Sequence, residues 1–140
     1  MINATPSRCN QGTNTENINE VSGMIVDAAY QIHSRLGPGL LESVYETILA
    51  SKLSAAGLRV ERQRAVPIVF DGLEFQEGFR ADLDVENRII VELKSVEQLA
   101  PVHGKQLLTY LRLLDYRLGL LINFGAPYLK DGIVRIANKL

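Results

Sequence analysis

The chain has 140 residues, 46% of them apolar and 22% charged, and a formal net charge of −1. That length fits one domain with its own core, and the charge balance excludes a strongly basic nucleic-acid coat while leaving room for a local basic patch. The lone cysteine, Cys9, excludes an internal disulfide; no CxxC or Cys/His metal spacing occurs, and no apolar run suits a bilayer span or a signal peptide, so a reducing, cytoplasmic setting without a membrane partner is expected.

Residues 1–17 are polar and aperiodic and read as a disordered or appended tail, leaving 18–140 as the single domain. From Ile18 the apolar residues Val21, Ile25, Ala28, Ala29, Ile32 and Leu36 recur at helical spacing, with Asn17 or Asn19 as the cap and Gly37-Pro38-Gly39 as the stop. A second helix carries Leu41, Val44, Tyr45, Ile48, Leu49 and Leu53 as its buried stripe and stops at Gly57. Val60 opens the strand region. Arg59–Arg64 reads as extended but polar, and Pro67 belongs at a strand start or edge because it cannot donate to a ladder. Asp71-Gly72 between Ile68-Val69-Phe70 and Leu73-Glu74-Phe75 is a two-residue hairpin signal.

Two further strands follow, 79–85 and 88–94, and both carry charge on one face: Arg80, Asp82 and Asp84 on the first, Glu92 and Lys94 on the second. Pro101 then starts a third helix with Leu107, Leu108, Leu111 and Leu114 on its apolar side. The run 117–124 suits a strand buried on both faces, and 133–137 suits a last short strand. The predicted fold is α/β of the α+β kind: a mixed central sheet flanked by helices, in the order ααββββαβ.

Charges on an apolar strand are costly unless paired or bound to a metal. Asp82 and Glu92 facing each other would suit Mg²⁺ or Mn²⁺, with Lys94 orienting a water or offsetting charge on a phosphate; a cross-strand salt-bridge cluster on a solvated face is the competing reading. Strand register separates the two. A two-residue loop, Glu86-Asn87, would turn Asp82 and Glu92 to opposite faces. A three-residue loop, Glu86-Asn87-Arg88, or a bulge that restores the same parity, sets Asp82 opposite Glu92; the three-residue loop also sets Arg80 opposite Lys94, with Ala81, Leu83, Val85, Val91 and Leu93 together on the other face.

Other candidates are weaker. Glu42 and Tyr45, three apart on the second helix, read first as a helix-start carboxylate and a core aromatic. Gln106 and Tyr110, four apart on the third helix, could meet a phosphate or a base, with His103 one turn earlier. His33 reads as a helix C-terminal cation or a surface residue. Arg62 and Arg64, on a shared face, and Arg59 read as solvated charge or as contacts to a phosphate backbone.

Asp82, then Glu92-Leu93-Lys94, then Gln106 and Tyr110 on the next helix resemble the PD-(D/E)xK nuclease pattern, with Ala81 where its proline usually stands. Gly39-Leu40-Leu41-Glu42-Ser43-Val44-Tyr45 resembles the motif of the GxxExxY family, as do Leu36-Gly-Pro-Gly-Leu-Leu-Glu, Gly78-Phe-Arg-Ala-Asp, Val91-Glu-Leu-Lys-Ser and Leu121-Ile-Asn-Phe-Gly. The resemblance implies a restriction-endonuclease-like core and metal-dependent phosphodiester hydrolysis. Asp82, Glu92 and Glu42 would then serve Mg²⁺ or Mn²⁺, Lys94 would position the water, and Gln106, Tyr110, Tyr45 and Arg80 would meet nucleic acid, DNA ahead of RNA. A homodimer suits double-strand cutting by so small a domain. A catalytically silent nucleic-acid-binding or partner module on the same fold is the alternative.

Overall fold

The computed structural model describes residues 14–140. Helix α1 runs Asn14–Leu36, helix α2 Glu42–Ala55 and helix α3 Pro101–Leu114. The strands are β1 Val60–Phe70, β2 Leu73–Val85, β3 Ile89–Lys94, β4 Leu118–Asn123 and β5 Ile133–Ala137, with a 3₁₀ turn at Leu129–Gly132 before the last. The five strands lie in the order β1-β2-β3-β4-β5. All neighbours are antiparallel except β3 and β4, whose connection through α3 makes them parallel.

The fold class is the expected one, a mixed sheet flanked by helices, but three strands rather than four precede α3. The segments 73–75 and 79–85 are one strand. β1 pairs with β2 from Val60↔Val85 to Phe70↔Leu73, and a register shift between Val66 and Ile68 absorbs the irregularity at Pro67. Pro67 is tolerated there because β1 is the sheet edge. Helix α1 starts at Asn14, so Asn17 and Asn19 lie within the helix rather than capping it; Cys9 lies outside the described residues.

The sheet separates two apolar layers. On one side, Leu83, Val85, Ile89, Val91, Leu93, Leu118, Leu120 and Ile122 pack against α1 and α2. On the other, Ala81, Ile90 and Leu121 pack against Leu107 and Leu111 of α3. β4 is buried at every position, as its unbroken apolar run requires. The stripe of α2 is rotated from the expected one: Tyr45, Glu46, Leu49, Ala50 and Leu53 are buried, while Leu41 and Val44 are exposed. Among the described residues no helix is long and apolar enough to cross a membrane.

Candidate active site

β2 and β3 are joined by the three-residue loop that the site requires. The ladder pairs Val85 with Ile89, Asp84 with Ile90 and Leu83 with Val91, and Glu86 and Asn87 both take positive φ, 58° and 54°, in the turn between. The ladder stops there, one step before Asp82 and Glu92, and the carboxylates replace the missing backbone partners. The Asp82 N–H donates to Glu92 Oε2 at 2.9 Å, and the Leu93 N–H donates to Asp82 Oδ2 at 2.8 Å. Each acid is therefore clamped to the opposite strand, which brings the two side chains together at the point where the strands part.

The alternation of β2 does not survive this point. Ala81 packs with α3, whereas Leu83 and Val85 pack with α1 and α2, so the three do not share a face as expected. β1 rolls over at the same level. Gln63, between the paired positions Arg62↔Leu83 and Arg64↔Ala81, has φ 49°, a left-handed conformation that interrupts the pleat. In consequence Arg62 reaches Glu46 and Thr47 of α2, while Arg64 reaches Asp84 and Tyr116 near the end of α3; the two arginines do not share a face. Asp84 is likewise no companion of Asp82. It is buried, and its Oδ2 accepts from Arg64 at 2.9 Å and from the Tyr116 hydroxyl at 2.8 Å.

Burial first, and then the charge of Asp82, pushes Glu92 up to about 8, against the opposing pull of the Asp82 N–H and Lys94. Asp82 is also raised, by burial and by Glu46, despite hydrogen bonds from Leu93 and Gln63 and the field of Lys94. Lys94 is half-buried at the end of β3 and acts on both acids through its field without an ion pair shorter than 4.0 Å among the described residues. Glu42, exposed at the first position of α2, raises Glu92 as well. Tyr110 stacks on Phe79 with ring centroids 3.7 Å apart; burial, then Glu92 and Asp82, raises its hydroxyl pKa. Gln106 is exposed one turn earlier on α3.

Two expected substrate contacts are used elsewhere. Tyr45 is fully buried and stacks on Phe124, centroids 4.3 Å apart. Its hydroxyl donates to the Gly37 carbonyl at 2.6 Å and accepts from the Leu40 N–H at 3.2 Å, so it pins the loop before α2. Arg80 donates to the Gln63 carbonyl and pairs with Glu77; the β2–β3 ladder ends before it could oppose Lys94. His33 is a buried residue rather than a surface cation, with Nε2 2.8 Å from the Ala126 carbonyl oxygen. His103 accepts the Ala100 N–H on Nδ1, a helix-start role.

Several positioning residues escaped the sequence reading. Glu46, buried one turn beyond Glu42, accepts from Gln63, which also reaches Asp82 Oδ1 at 3.2 Å; a glutamate on the buried stripe of a helix was the available signal. Asn123, buried at the end of β4, accepts the N–H groups of Val96 and Gly125 and donates to the Val96 carbonyl. A Cβ on Gly125 would run into the Val96 backbone, so only glycine admits this contact. Ser95 donates to the Leu40 carbonyl at 2.6 Å. The segments ending in Lys94-Ser95, Asn123-Phe124-Gly125 and Gly37–Leu40 are thus stitched together around the end of β3. They border a cleft of about 660 Å³ lined by Pro38–Ser43, Ser95–Glu97 and Gly125, with Glu42 on its wall. Asp82, Glu92 and Lys94 do not line it.

Two clamped carboxylates beside an ammonium can hold a hard cation, since Mg²⁺ is commonly bound through one or two carboxylates and keeps several waters. Among the described residues no three His, Cys, Asp or Glu side chains form a ready set of ligands. An ion held by Asp82 and Glu92 alone would take its remaining ligands from water. A family model described as the PD-(D/E)XK nuclease superfamily matches residues 19–136. No curated protein and no solved structure gives a significant match.

Proposed function

Because the chain belongs to the PD-(D/E)XK nuclease superfamily, we propose that it is a metal-dependent nuclease that hydrolyses phosphodiester bonds in nucleic acid, DNA ahead of RNA, and that its motif Gly39, Glu42 and Tyr45 marks it as one of the GxxExxY proteins. The observation that carries the proposal is the reciprocal clamp: two acids held against each other by the N–H groups of Asp82 and Leu93, at a separation of strands, with Lys94 beside them.

Nucleases of this superfamily generally use divalent metals such as Mg²⁺. Asp82 and Glu92 are assigned as the residues that would hold Mg²⁺ or Mn²⁺, with Glu42 as a further acid nearby. Such an ion supplies Lewis acidity and charge neutralisation at the phosphate. Lys94 would orient the attacking water by donating to its oxygen and would offset negative charge as the oxygen–phosphorus bond forms and the ester bond breaks. Gln106, exposed on α3, and Tyr110, whose hydroxyl belongs to the same field, are assigned to the nucleic-acid backbone. Tyr45 is buried and holds the loop before α2, while Arg80, exposed and paired with Glu77, is assigned to the backbone with them.

The competing proposal is a catalytically silent binding module. It draws support from the net charge of −1, since phosphate contacts dominate non-specific affinity. A binding module for polyanions gains nothing from two acids set against each other, and that favours the enzyme. The deciding experiment incubates the protein with Mg²⁺ or Mn²⁺ and labelled single- and double-stranded DNA and RNA, alongside Mn²⁺ titration calorimetry. Cleavage that vanishes with chelator is expected. Absence of Mn²⁺ binding would remove the enzyme.

A further inference from the structure

Six residues other than glycine take a positive φ among the described residues. Asp71, Glu86, Asn87, Asp115 and Lys139 stand in turns, at the end of α3 or past the last strand. Gln63, at 49°, stands inside β1. Glutamine has no special tolerance for this region, which favours glycine, asparagine and aspartate. The turn of the pleat that sends Arg62 toward α2 and Arg64 toward Asp84 needs only backbone, and glycine would supply it without strain. What glutamine adds is an amide, and a strained backbone that carries a particular side chain points to a role for that side chain.

The amide lies between two acids. Its Nε2 is 2.6 Å from Glu46 Oε1 and 3.2 Å from Asp82 Oδ1. Both neighbours are acceptors, so the NH₂ group faces them with one hydrogen for each. A glutamate here would set a third carboxylate against those two, and asparagine is one methylene shorter. Glu46 is itself buried and paired with Arg62 at 3.0 Å, so the amide is anchored at its far end. In the register Gln63 stands opposite Asp82, between Arg62↔Leu83 and Arg64↔Ala81, yet that backbone pair is missing from the ladder. The two side chains make the connection instead.

The consequence falls on the Asp82 carboxylate. Its Oδ2 accepts from the Leu93 N–H of β3 at 2.8 Å, and its Oδ1 accepts from Gln63 of β1. A carboxylate held by one oxygen still swings about its last torsion, which is broad. Held by both oxygens from the strands on either side, it is fixed, and each oxygen keeps a lone pair for a cation. We propose that Gln63 is a positioning residue of the metal site: its amide, braced on Glu46, sets the plane of the Asp82 carboxylate that receives the ion. This role rests on the reading of Asp82 and Glu92 as metal ligands.

Calorimetric titration of Mn²⁺ into the metal-free chain tests it, with urea denaturation of the same samples. Gln63→Met keeps the length of the side chain and removes the donor. Gln63→Gly removes the side chain and relieves the backbone. Both should fold and bind Mn²⁺ about tenfold more weakly than wild type, the low end of the effect of a partner that orients a metal ligand, because Gln63 is exposed. Cleavage at limiting Mn²⁺ should fall with the affinity, and excess Mn²⁺ should recover part of it. Variants that bind Mn²⁺ as tightly as wild type, whatever their urea midpoints, overturn the role of Gln63 and leave the metal site standing. A wild type that binds no Mn²⁺ overturns both.

Discussion

Asp82 and Asp84 lie two residues apart on one strand and live in opposite electrostatic worlds. Asp84 is buried against a guanidinium and a phenol: Arg64 and Tyr116 both donate to its Oδ2, and Arg64 also lies 5.9 Å from the Tyr116 ring centroid. Its second oxygen, Oδ1, has no hydrogen-bond partner among the described residues. Asp82 faces another acid, Glu92, and its carboxylate accepts from the Leu93 N–H and the Gln63 amide rather than from a cation. Both aspartates are raised by burial, but an arginine pulls Asp84 down while Glu46 pushes Asp82 further up. The fold neutralises the acid it uses for structure and leaves uncompensated the pair proposed to receive a metal. Each acid accepts a backbone N–H where the ladder stops, yet no basic side chain pairs with either one among the described residues, and the proposed metal site rests on that difference.

The sharpest way to break this contrast is to remove the lysine that faces the uncompensated pair. Lys94→Ala should lower cleavage by about 10³-fold, about 4 kcal/mol of transition-state stabilisation, with the fold intact. Single-turnover cleavage of labelled DNA, with circular dichroism as the folding control, measures both; unchanged cleavage would remove Lys94 from the chemistry. Next in size is the paired acid. Asp84→Asn should leave cleavage chemistry in place and cost about 3 kcal/mol in stability, because it removes the buried charge that Arg64 pairs with. Urea denaturation reads that directly, and a loss below about 0.5 kcal/mol would mean that the pair is only a surface contact.

Much of the architecture could be read from residue patterns, and the failures share one cause. The Asp71-Gly72 turn, the start of α3 at Pro101 and the doubly buried β4 followed from local chemistry. Residue type leaves the loop at Glu86-Asn87-Arg88 open between two and three residues, and the observed three-residue loop is the one that sets Asp82 toward Glu92. Parity failed where the pleat itself is interrupted. The rollover at Gln63 and Asp82 separates Arg62 from Arg64 and Asp82 from Asp84, and a glutamine with positive φ carries no signal in its residue type. Tyr45 reads as a core aromatic from its spacing, and it is one; its hydroxyl partners, the Gly37 carbonyl and Leu40 N–H, are loop backbone that no periodicity locates. Asn123 and Ser95 act through backbone in the same way.

The contrast can also be sharpened by pH. Glu92 is raised from 4.5 to about 8 in the folded protein, so the native state holds a proton that the unfolded chain releases at lower pH. The corresponding stability is complete below about pH 4.5 and is lost as pH rises toward 8. In chelator, the melting temperature should therefore fall across that window, by the equivalent of about 2 kcal/mol for a partly solvated group. Glu92→Gln should flatten the slope, and Mg²⁺ added at the alkaline end should restore stability by favouring the charged form. A metal-free melting temperature that is level from pH 4.5 to 8 would show that the two acids do not oppose each other.

The smallest effect concerns Glu42, whose place is ambiguous by construction of the helix itself. As the first residue of α2 its carboxylate is favoured by the exposed N–H groups there, whatever its role in the cleft. It is nonetheless close enough to raise Glu92 and stands on the cleft wall beside Ser95 and Glu97. Glu42→Gln keeps the size and the hydrogen-bonding oxygen and removes only the charge. If Glu42 serves the helix alone, the substitution should cost a few tenths of a kcal/mol in stability, about what one exposed dipole contact contributes, and leave cleavage untouched. If it serves the metal, cleavage should fall by about tenfold, the apparent Mn²⁺ affinity should weaken in calorimetry, and excess Mn²⁺ should recover part of the rate. The second outcome is expected, because an acid that serves only to start a helix has no reason to stand where its charge works against a carboxylate already raised to about 8.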